Sequence, residues 1–438
     1  MAFREFESAQ LSRRNILRAG AWLGAGAAIG SLPLGRIALA ADANTVWTHV
    51  AKLESDYVVP RKVANMVAAL GWGQKAPEFL SQGTLAIGQT APAGPDSLYR
   101  IYSMTKPITG MAVMQLIEAG KLGLDQPLYE ILPAFKDMKV QKTYDGSVTD
   151  VEPAKQPITI RHLLTHTAGF GYAIMQKGPI RQAYIDAGLA AGQVSKLPIP
   201  GLDGGTQAPS LKAFADRLAA LPLVLQPGTK WSYSVAIDLL GRVIEVASGQ
   251  PFDQYLQQHI FDPCGMTSTF FRVPAKDVSR LTTNYFVVNG TPLPADPGRQ
   301  SIFAEAPPFP MGGSGLISSA RDYDRFLRML LGYGLIDGKR VMSEPAVRLG
   351  TSNLLPAGVV TKGTFADGSG FGAAGRVGLG AQAGTYGWGG AAGTIAFVNF
   401  AHNLRATMMT QYMPSEVYPI HSAFPAAVAK DLAAMAAK

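Results

Sequence analysis

The sequence predicts an α+β fold. An antiparallel sheet is formed from both ends of the chain and flanked by helices, and a mostly helical second lobe fills the middle. Three observations predict it. Strand-like runs lie near both ends, at residues 62–72 and 82–89 and again at 384–389, 394–400 and 406–412. The late runs have short connections, which suit an antiparallel meander and are too short for parallel crossovers. Helices are the regular elements read between the two groups. The sheet lobe is then expected from about 41–130 with 310–438, and the helical lobe from about 131–309. The 438 residues are 47% hydrophobic and 16% charged, enough for a large core and unlike a disordered chain. The single cysteine, Cys264, excludes an intrachain disulfide scaffold and a Cys-rich metal site.

The first 40 residues read as a targeting segment. Arg13 and Arg14 stand before an uncharged, Ala- and Gly-rich stretch at 19–35, and Ala38-Leu39-Ala40 offers small residues for cleavage. This is the layout of a twin-arginine signal, too short and too weakly apolar for a spanning helix. The expected partners are the twin-arginine export machinery for the precursor and the periplasm as destination. No second long apolar run follows, so no stable membrane insertion is expected after signal removal. Residues 1–40 hold five arginines and two glutamates, so the net charge of +8 falls to +5 without them. Lys136, Lys139 and Lys142 are the nearest approach to a basic cluster and have no aromatic residues interleaved, which leaves nucleic-acid binding without support.

Along the remaining chain, 62–72 and 82–89 read as paired strands and Pro92-Ala93-Gly94-Pro95 as a turn. A helix is expected over 103–119, with Ile108, Ala112, Leu116 and Ala119 on one face and Gly120 as its stop. Residues 123–230 read as irregular with short helical pieces such as 211–220. A helix over 235–247 has Leu239, Leu240, Val243 and Ile244 at three-four spacing and ends at Gly249. Ser319-Ala320-Arg321-Asp322 reads as a capping box before Tyr323, Phe326, Leu327, Leu330 and Leu331. Then come the three strands of the meander and a last Ala-rich helix over 423–437. There is no internal repeat.

Ser103-Met104-Thr105-Lys106 is an S-x-x-K at a helix start. A spacing of three places both side chains on one face. The lysine could take the serine proton if burial or a nearby cation depressed its own proton affinity, and the helix N-terminus would aim N–H groups at a developing anion. Pro107 fits the first turn. The pattern alone is weak, because about one match is expected by chance in a chain of this composition. Four further segments accompany it in order: Arg161 to Gly169 with His162 and His166, Pro227-Gly228 to Ser234 with Tyr233 before a helix, Gly312-Gly313-Ser314-Gly315, and Trp388-Gly389-Gly390-Ala391 at a late strand.

With these segments the chain resembles the serine β-lactamase and penicillin-binding superfamily, and among its branches class C β-lactamases and most of all family VIII carboxylesterases. The resemblance runs from about residue 96 to the last helix. It implies Ser103 as nucleophile, Lys106 as its activating partner and Tyr233 as the group that shares proton transfer and protonates the leaving group. It also implies an oxyanion hole from the backbone N–H groups of Ser103 and Ala391. The sequence departs from the β-lactam-active pattern twice. Val235 stands where the Y-x-N element has asparagine, and Trp388-Gly389-Gly390 stands where the third motif has K-T-G or H-x-G. The W-x-G form is similar to that of family VIII esterases, so Trp388, Gly389, Gly390 and Val235 are the expected substrate-binding positions.

Other patterns carry less. A zinc protease would need Glu after His162, and Leu163 is there. The G-x-G-x-x-A at Gly378 precedes a strand, unlike a dinucleotide loop. No G-x-S-x-G elbow occurs. Cys264 reads as a packing residue at a helix exit. The sequence therefore points to an exported serine hydrolase acting through an acyl-enzyme on a small ester or amide, without metal or organic cofactor, with short-chain esters as the expected substrates. A β-lactamase or D,D-peptidase using the same residues is the first alternative, and a non-catalytic cell-wall binding protein the second. The export reading is checked by fractionation: Arg13→Lys with Arg14→Lys leaves the precursor in the cytoplasm, whereas normal export of the double variant would mean another route.

Overall fold

The computed structural model describes residues 43–190, 192–196 and 205–437. The expected signal segment lies outside the described residues. Seven antiparallel strands form the main sheet: β1 (Asn65–Trp72), β2 (Glu78–Gly83), β3 (Gly370–Phe371), β4 (Arg376–Val377), β5 (Thr385–Gly389), β6 (Ile395–Asn399) and β7 (Leu404–Met409). Their order in space is β3-β4-β5-β6-β7-β1-β2. The two ends of the chain meet at β7 and β1, with Val67 opposite Met409 and Trp72 opposite Leu404. This is the sheet expected from the two termini.

The sheet is covered on both faces, and its central strands β1, β6 and β7 are buried almost throughout, while the edge strand β2 is partly exposed. Met66, Ala68 and Leu70 of β1 pack with Phe397, Met408, Phe424 and Val428 beneath α1 (Thr48–Val58) and the C-terminal helix Ile420–Ala436. Val67 and Ala69 point the other way, into the large core shared with Tyr386, Trp388 and Val398. That core holds α2 (Thr105–Glu118), α3 (Ala236–Ser248) and α4 (Ala320–Leu331).

Several elements differ from the sequence reading. The second strand is β2 at Glu78–Gly83, not 82–89. Gly83 at φ +91° turns the chain away before the apolar residues Leu85 and Ile87 can extend it. Strands β3 and β4 widen the sheet in a Gly-rich stretch that carries no strand pattern. The hairpin Asn284–Val288 with Thr291–Asp296 lies inside the stretch read as helical. The stretch read as irregular contains the strand pair Lys139–Gln141 with Val151–Pro153 and the helices Ile160–Leu164 and Gly178–Asp186.

Helix α1 was not foreshadowed because its N-cap, Trp47, offers no side-chain acceptor. Asp431 of the C-terminal helix supplies it, taking the N–H groups of His49 and Val50 at 2.9 and 3.0 Å. At α4, Ser319 Oγ accepts the Asp322 N–H at 3.1 Å as expected. The Asp322 carboxylate instead takes the Ser268 N–H at 2.6 Å and the Thr269 hydroxyl at 2.9 Å, so no reciprocal box forms.

A buried arginine fixes the approach to Ser103. Arg100 and Asp296 are both fully buried, and Nε donates to Asp296 Oδ2 at 2.7 Å. The other guanidinium nitrogens reach the Thr282 carbonyl at 2.6 Å and the Ser301 hydroxyl at 3.0 Å. Gln411 pairs with the Arg100 backbone in both directions at 3.1 Å. Asp296→Ala leaves a buried cation without its carboxylate, and the expected loss is about 3–5 kcal/mol in urea unfolding. A loss below about 1 kcal/mol would mean that the carbonyls alone satisfy Arg100.

Candidate active site

The approach to Ser103 is a short 3-10 turn, Tyr102–Met104, and only then does α2 begin. The turn is held tightly. Tyr102 adopts φ +40°, a left-handed conformation that non-glycine residues seldom take outside over-determined sites. Upstream, the Arg100 network fixes the chain. Downstream, the Met104 carbonyl accepts the Tyr323 hydroxyl at 2.9 Å. Ser103 is half-buried at this point, and Lys106, one turn on, is fully buried.

The loop at Gly312 to Leu316 lies along the first turns of α2. Thr109 Oγ1 donates to the Gly312 carbonyl at 2.7 Å, Lys106 Nζ to the Gly313 carbonyl at 2.7 Å, and the Leu316 N–H to Thr105 Oγ1 at 3.2 Å. On its other side the loop abuts the start of α3. A Cβ on Gly312 would lie 2.6 Å from the Ile237 carbonyl oxygen, and one on Gly313 would lie 2.6 Å from Asp238 Oδ2. The glycines let the loop wedge between two helices.

Tyr233 arrives from the segment before α3. The Ser232 N–H donates to the His166 carbonyl at 2.9 Å and the Val235 N–H to the Gly171 carbonyl at 3.2 Å. These bonds bring three predicted residues together. Ser103 Oγ is 2.6 Å from Tyr233 Oη and 3.1 Å from Lys106 Nζ, and that nitrogen also lies 4.6 Å from the Tyr233 ring centre. The serine hydroxyl thus has a phenol and an amine as its two side-chain partners.

Beside this group stands the turn after β5. Trp388, next to last in the strand, has its ring centre 6.0 Å from that of Tyr233 and 5.3 Å from that of Phe371. Gly389 packs on His421 of the C-terminal helix, whose Nε2 donates to the Thr394 carbonyl at 3.0 Å. A Cβ on Gly390 would lie 2.4 Å from the Ile101 carbonyl oxygen, so only glycine lets this turn press against the residues that lead into Ser103. Ala391 follows directly, half-buried, on the same turn. Val235 is fully buried as the N-cap residue of α3, with its side chain in the core.

The surroundings of Tyr233 are aromatic. Its ring has His166, Tyr172, Trp231, Phe365 and Trp388 as neighbours at centroid separations of 4.9 to 6.0 Å. Burial, with the Lys106 charge second, holds His166 well below the usual histidine range, so the ring is neutral. Its Nδ1 pairs with Ser234 Oγ at 3.0 Å. Burial likewise raises Tyr172, and the neighbouring Asp238 and Tyr233 add to the effect. His162 is a structural residue: its ring accepts the Thr159 N–H at 3.2 Å while Thr159 Oγ1 accepts its own N–H, closing a capping box. Burial brings its pKa down to about 4.

Asp238 escaped the sequence reading. It is fully buried in the first turn of α3, its Oδ1 accepts the Gly313 N–H at 2.8 Å, and its Oδ2 has no hydrogen-bond partner. Its one signal in the sequence is a carboxylate inside the apolar run Ala236-Ile237-Asp238-Leu239-Leu240. Among the described residues no group of three or more His, Cys, Asp or Glu side chains could hold a metal ion.

An S-x-x-K serine and lysine, joined by a tyrosine beside an antiparallel sheet, define the serine β-lactamase and penicillin-binding class. The family model described as Beta-lactamase matches residues 38–429, and the chain belongs to that family. A Mycobacterium tuberculosis protein, Rv1367c, is 39% identical over 259 residues, 59% of this chain, and the match spans only 60% of that relative's length. Esterase EstB of Burkholderia gladioli is 31% identical over 339 residues, 73% of this chain and 78% of the relative. Among solved structures, EstCE1, described as a hydrolase with promiscuous acyltransferase activity, matches with a TM-score of 0.68 at 24% identity, covering 87% of this chain and 99% of that one.

The packing of the β5 turn gives a direct test. Gly390→Ala pushes the turn off Ile101, and labelling of Ser103 by a fluorophosphonate is expected to slow by about a hundredfold, the scale of losing one oxyanion donor. Unchanged labelling would place Ala391 outside the reacting group.

Proposed function

We propose that the protein is an exported serine hydrolase that works through an acyl-enzyme, and that its substrates are short-chain carboxylic esters. The observation that carries this reading is Ser103 Oγ at 2.6 Å from Tyr233 and 3.1 Å from Lys106. In this mechanism Ser103 Oγ attacks the ester carbonyl carbon while its proton passes to the Lys106–Tyr233 pair. The oxygen of the tetrahedral intermediate is held by the N–H groups of Ser103 and Ala391. Collapse breaks the bond to the alcohol oxygen, which leaves with a proton from Tyr233. Water then attacks the acyl-serine by the reverse sequence, with the same pair taking its proton.

Esters are favoured over β-lactams by what Trp388 and Val235 replace. A lysine or histidine at 388 would give a site able to bond a substrate carboxylate, a charge-assisted contact worth about 1.5–3 kcal/mol, whereas Val235 is buried and acts from the core beneath Tyr233. Trp388 offers an indole wall to a carbon chain instead. The relative EstB, named as an esterase, supports the same choice. Export to the periplasm by the twin-arginine route completes the proposal. It is supported by the arginine pair at Arg13 and Arg14. Among the described residues no helix is long and apolar enough to cross a membrane.

One experiment tests the reading. Wild type and Ser103→Ala are compared by fluorophosphonate labelling and by turnover of p-nitrophenyl butyrate and nitrocefin. Labelling and ester turnover are expected in the wild type alone, with nitrocefin turned over at least tenfold less well. Labelling that survives in Ser103→Ala would remove the nucleophile assignment, and equal turnover of the two substrates would remove the ester preference.

A further inference from the structure

Asp238 is a buried carboxylate that the acyl-enzyme mechanism, as written, does not use. It touches the site at one residue. Gly313 donates its N–H to Asp238 Oδ1 at 2.8 Å and gives its carbonyl to Lys106 Nζ at 2.7 Å, and the same nitrogen donates to Ser103 Oγ at 3.1 Å. The other carboxylate oxygen, Oδ2, is turned toward the Gly313 backbone, where it has no hydrogen-bond partner and leaves no room for a Cβ. A buried acceptor kept unsatisfied is costly and calls for an explanation. Satisfying the Gly313 N–H accounts for one carboxylate oxygen, but a neutral acceptor would do that without burying a charge.

The charges around it are few. Lys106 is the charged residue acting on Asp238 among the described residues, from the facing helix α2. His166 faces Lys106 from the adjoining loop and is neutral, while Tyr172 and Tyr233 are the phenols between. The Gly312–Leu316 loop contributes backbone groups and one serine hydroxyl, and no charge. Desolvation disfavours the Asp238 anion, and the Lys106 cation and the Gly313 N–H oppose that effect.

We propose that Asp238 is a positioning residue for this reaction: through Gly313 it fixes Lys106 on Ser103, and its negative charge sets the pH at which the Ser103–Lys106–Tyr233 group gives up a proton. The inference rests on the acyl-enzyme reading above. The sign follows from electrostatics. A nearby anion stabilises the protonated form of a cationic group, so the group releases its proton at higher pH than it would alone. Because the three residues titrate together, the quantity observed belongs to the group.

The test compares the pH dependence of fluorophosphonate labelling in wild type, Asp238→Asn and Asp238→Ala. Asparagine keeps an oxygen for the Gly313 N–H and removes the charge. Its acid limb is expected about one pH unit lower than that of the wild type. Alanine loses the bond as well, and labelling is expected to slow at every pH. An Asn limb that coincides with the wild type would overturn the charge role. A wild type that does not label at all would overturn the acyl-enzyme reading, and this inference with it. Should Asp238→Asn fail to fold, aspartate carboxyl resonances in carbon-13-labelled wild type and Lys106→Met decide the matter. By reciprocity one buried aspartate should take its proton at a pH about one unit higher in the Met variant, and no movement would overturn the proposal.

Discussion

The site is organised around one problem, the burial of the Lys106 amine. An amine carried into a protein interior must find hydrogen-bond partners there. Lys106 finds the Gly313 carbonyl and Ser103 Oγ, and lies against the face of Tyr233. Each partner constrains another part of the chain. The carbonyl has to come from a loop that passes between two helices, which requires glycine at 312 and 313. The serine has to sit on the 3-10 turn that leads into α2. The tyrosine has to be delivered from the far side, over the start of α3. The geometry of three side chains thus depends on segments about 130 and 80 residues apart meeting within one hydrogen-bond length.

That meeting is made rigid by polar groups with no part in the chemistry. Arg100, three residues before Ser103, ties the turn to the Asn284–Asp296 hairpin and to Gln411 after β7. The hairpin lies in the stretch that the order of elements in the sequence assigns to a helical lobe, yet its last residue, Asp296, holds the segment leading to the serine. The β5 turn is clamped in a similar way, between the Ile101 carbonyl and His421. A site held by such fully paired, buried bonds can keep Tyr102 in a left-handed conformation that would otherwise relax.

The aromatic shell around Tyr233 bears on specificity. Five rings surround it, and Trp388 is the one at the β5 turn. Rings exclude water from the phenol and present an apolar wall, while offering few hydrogen bonds to a substrate. With Val235 wholly buried, the departure from a polar residue at that position changes the core under Tyr233 and the support of its helix. In this member of the Beta-lactamase family the catalytic-site tyrosine is thus walled by aromatic rings.

The sequence by itself determined the class of fold, the two-ended sheet and the S-x-x-K pair Ser103 and Lys106, and its resemblance to the superfamily added Tyr233 and Trp388 as residues to watch. It could do so because those signals are local: apolar strands, an S-x-x-K at a helix start, a Ser319 cap, a glycine stop at Gly249. Tertiary structure alone decided what is not local. The acceptor that caps α1 is Asp431, 382 residues from His49. Strands β3 and β4 exist because a neighbouring edge offers hydrogen bonds to a Gly-rich chain with no pattern of its own. Asp238 meets the site only because the fold brings Gly313, whose carbonyl holds Lys106, against it. A periodic pattern reports which face of an element is buried, whereas the partner that a buried polar atom finds is set by whatever the fold brings opposite it.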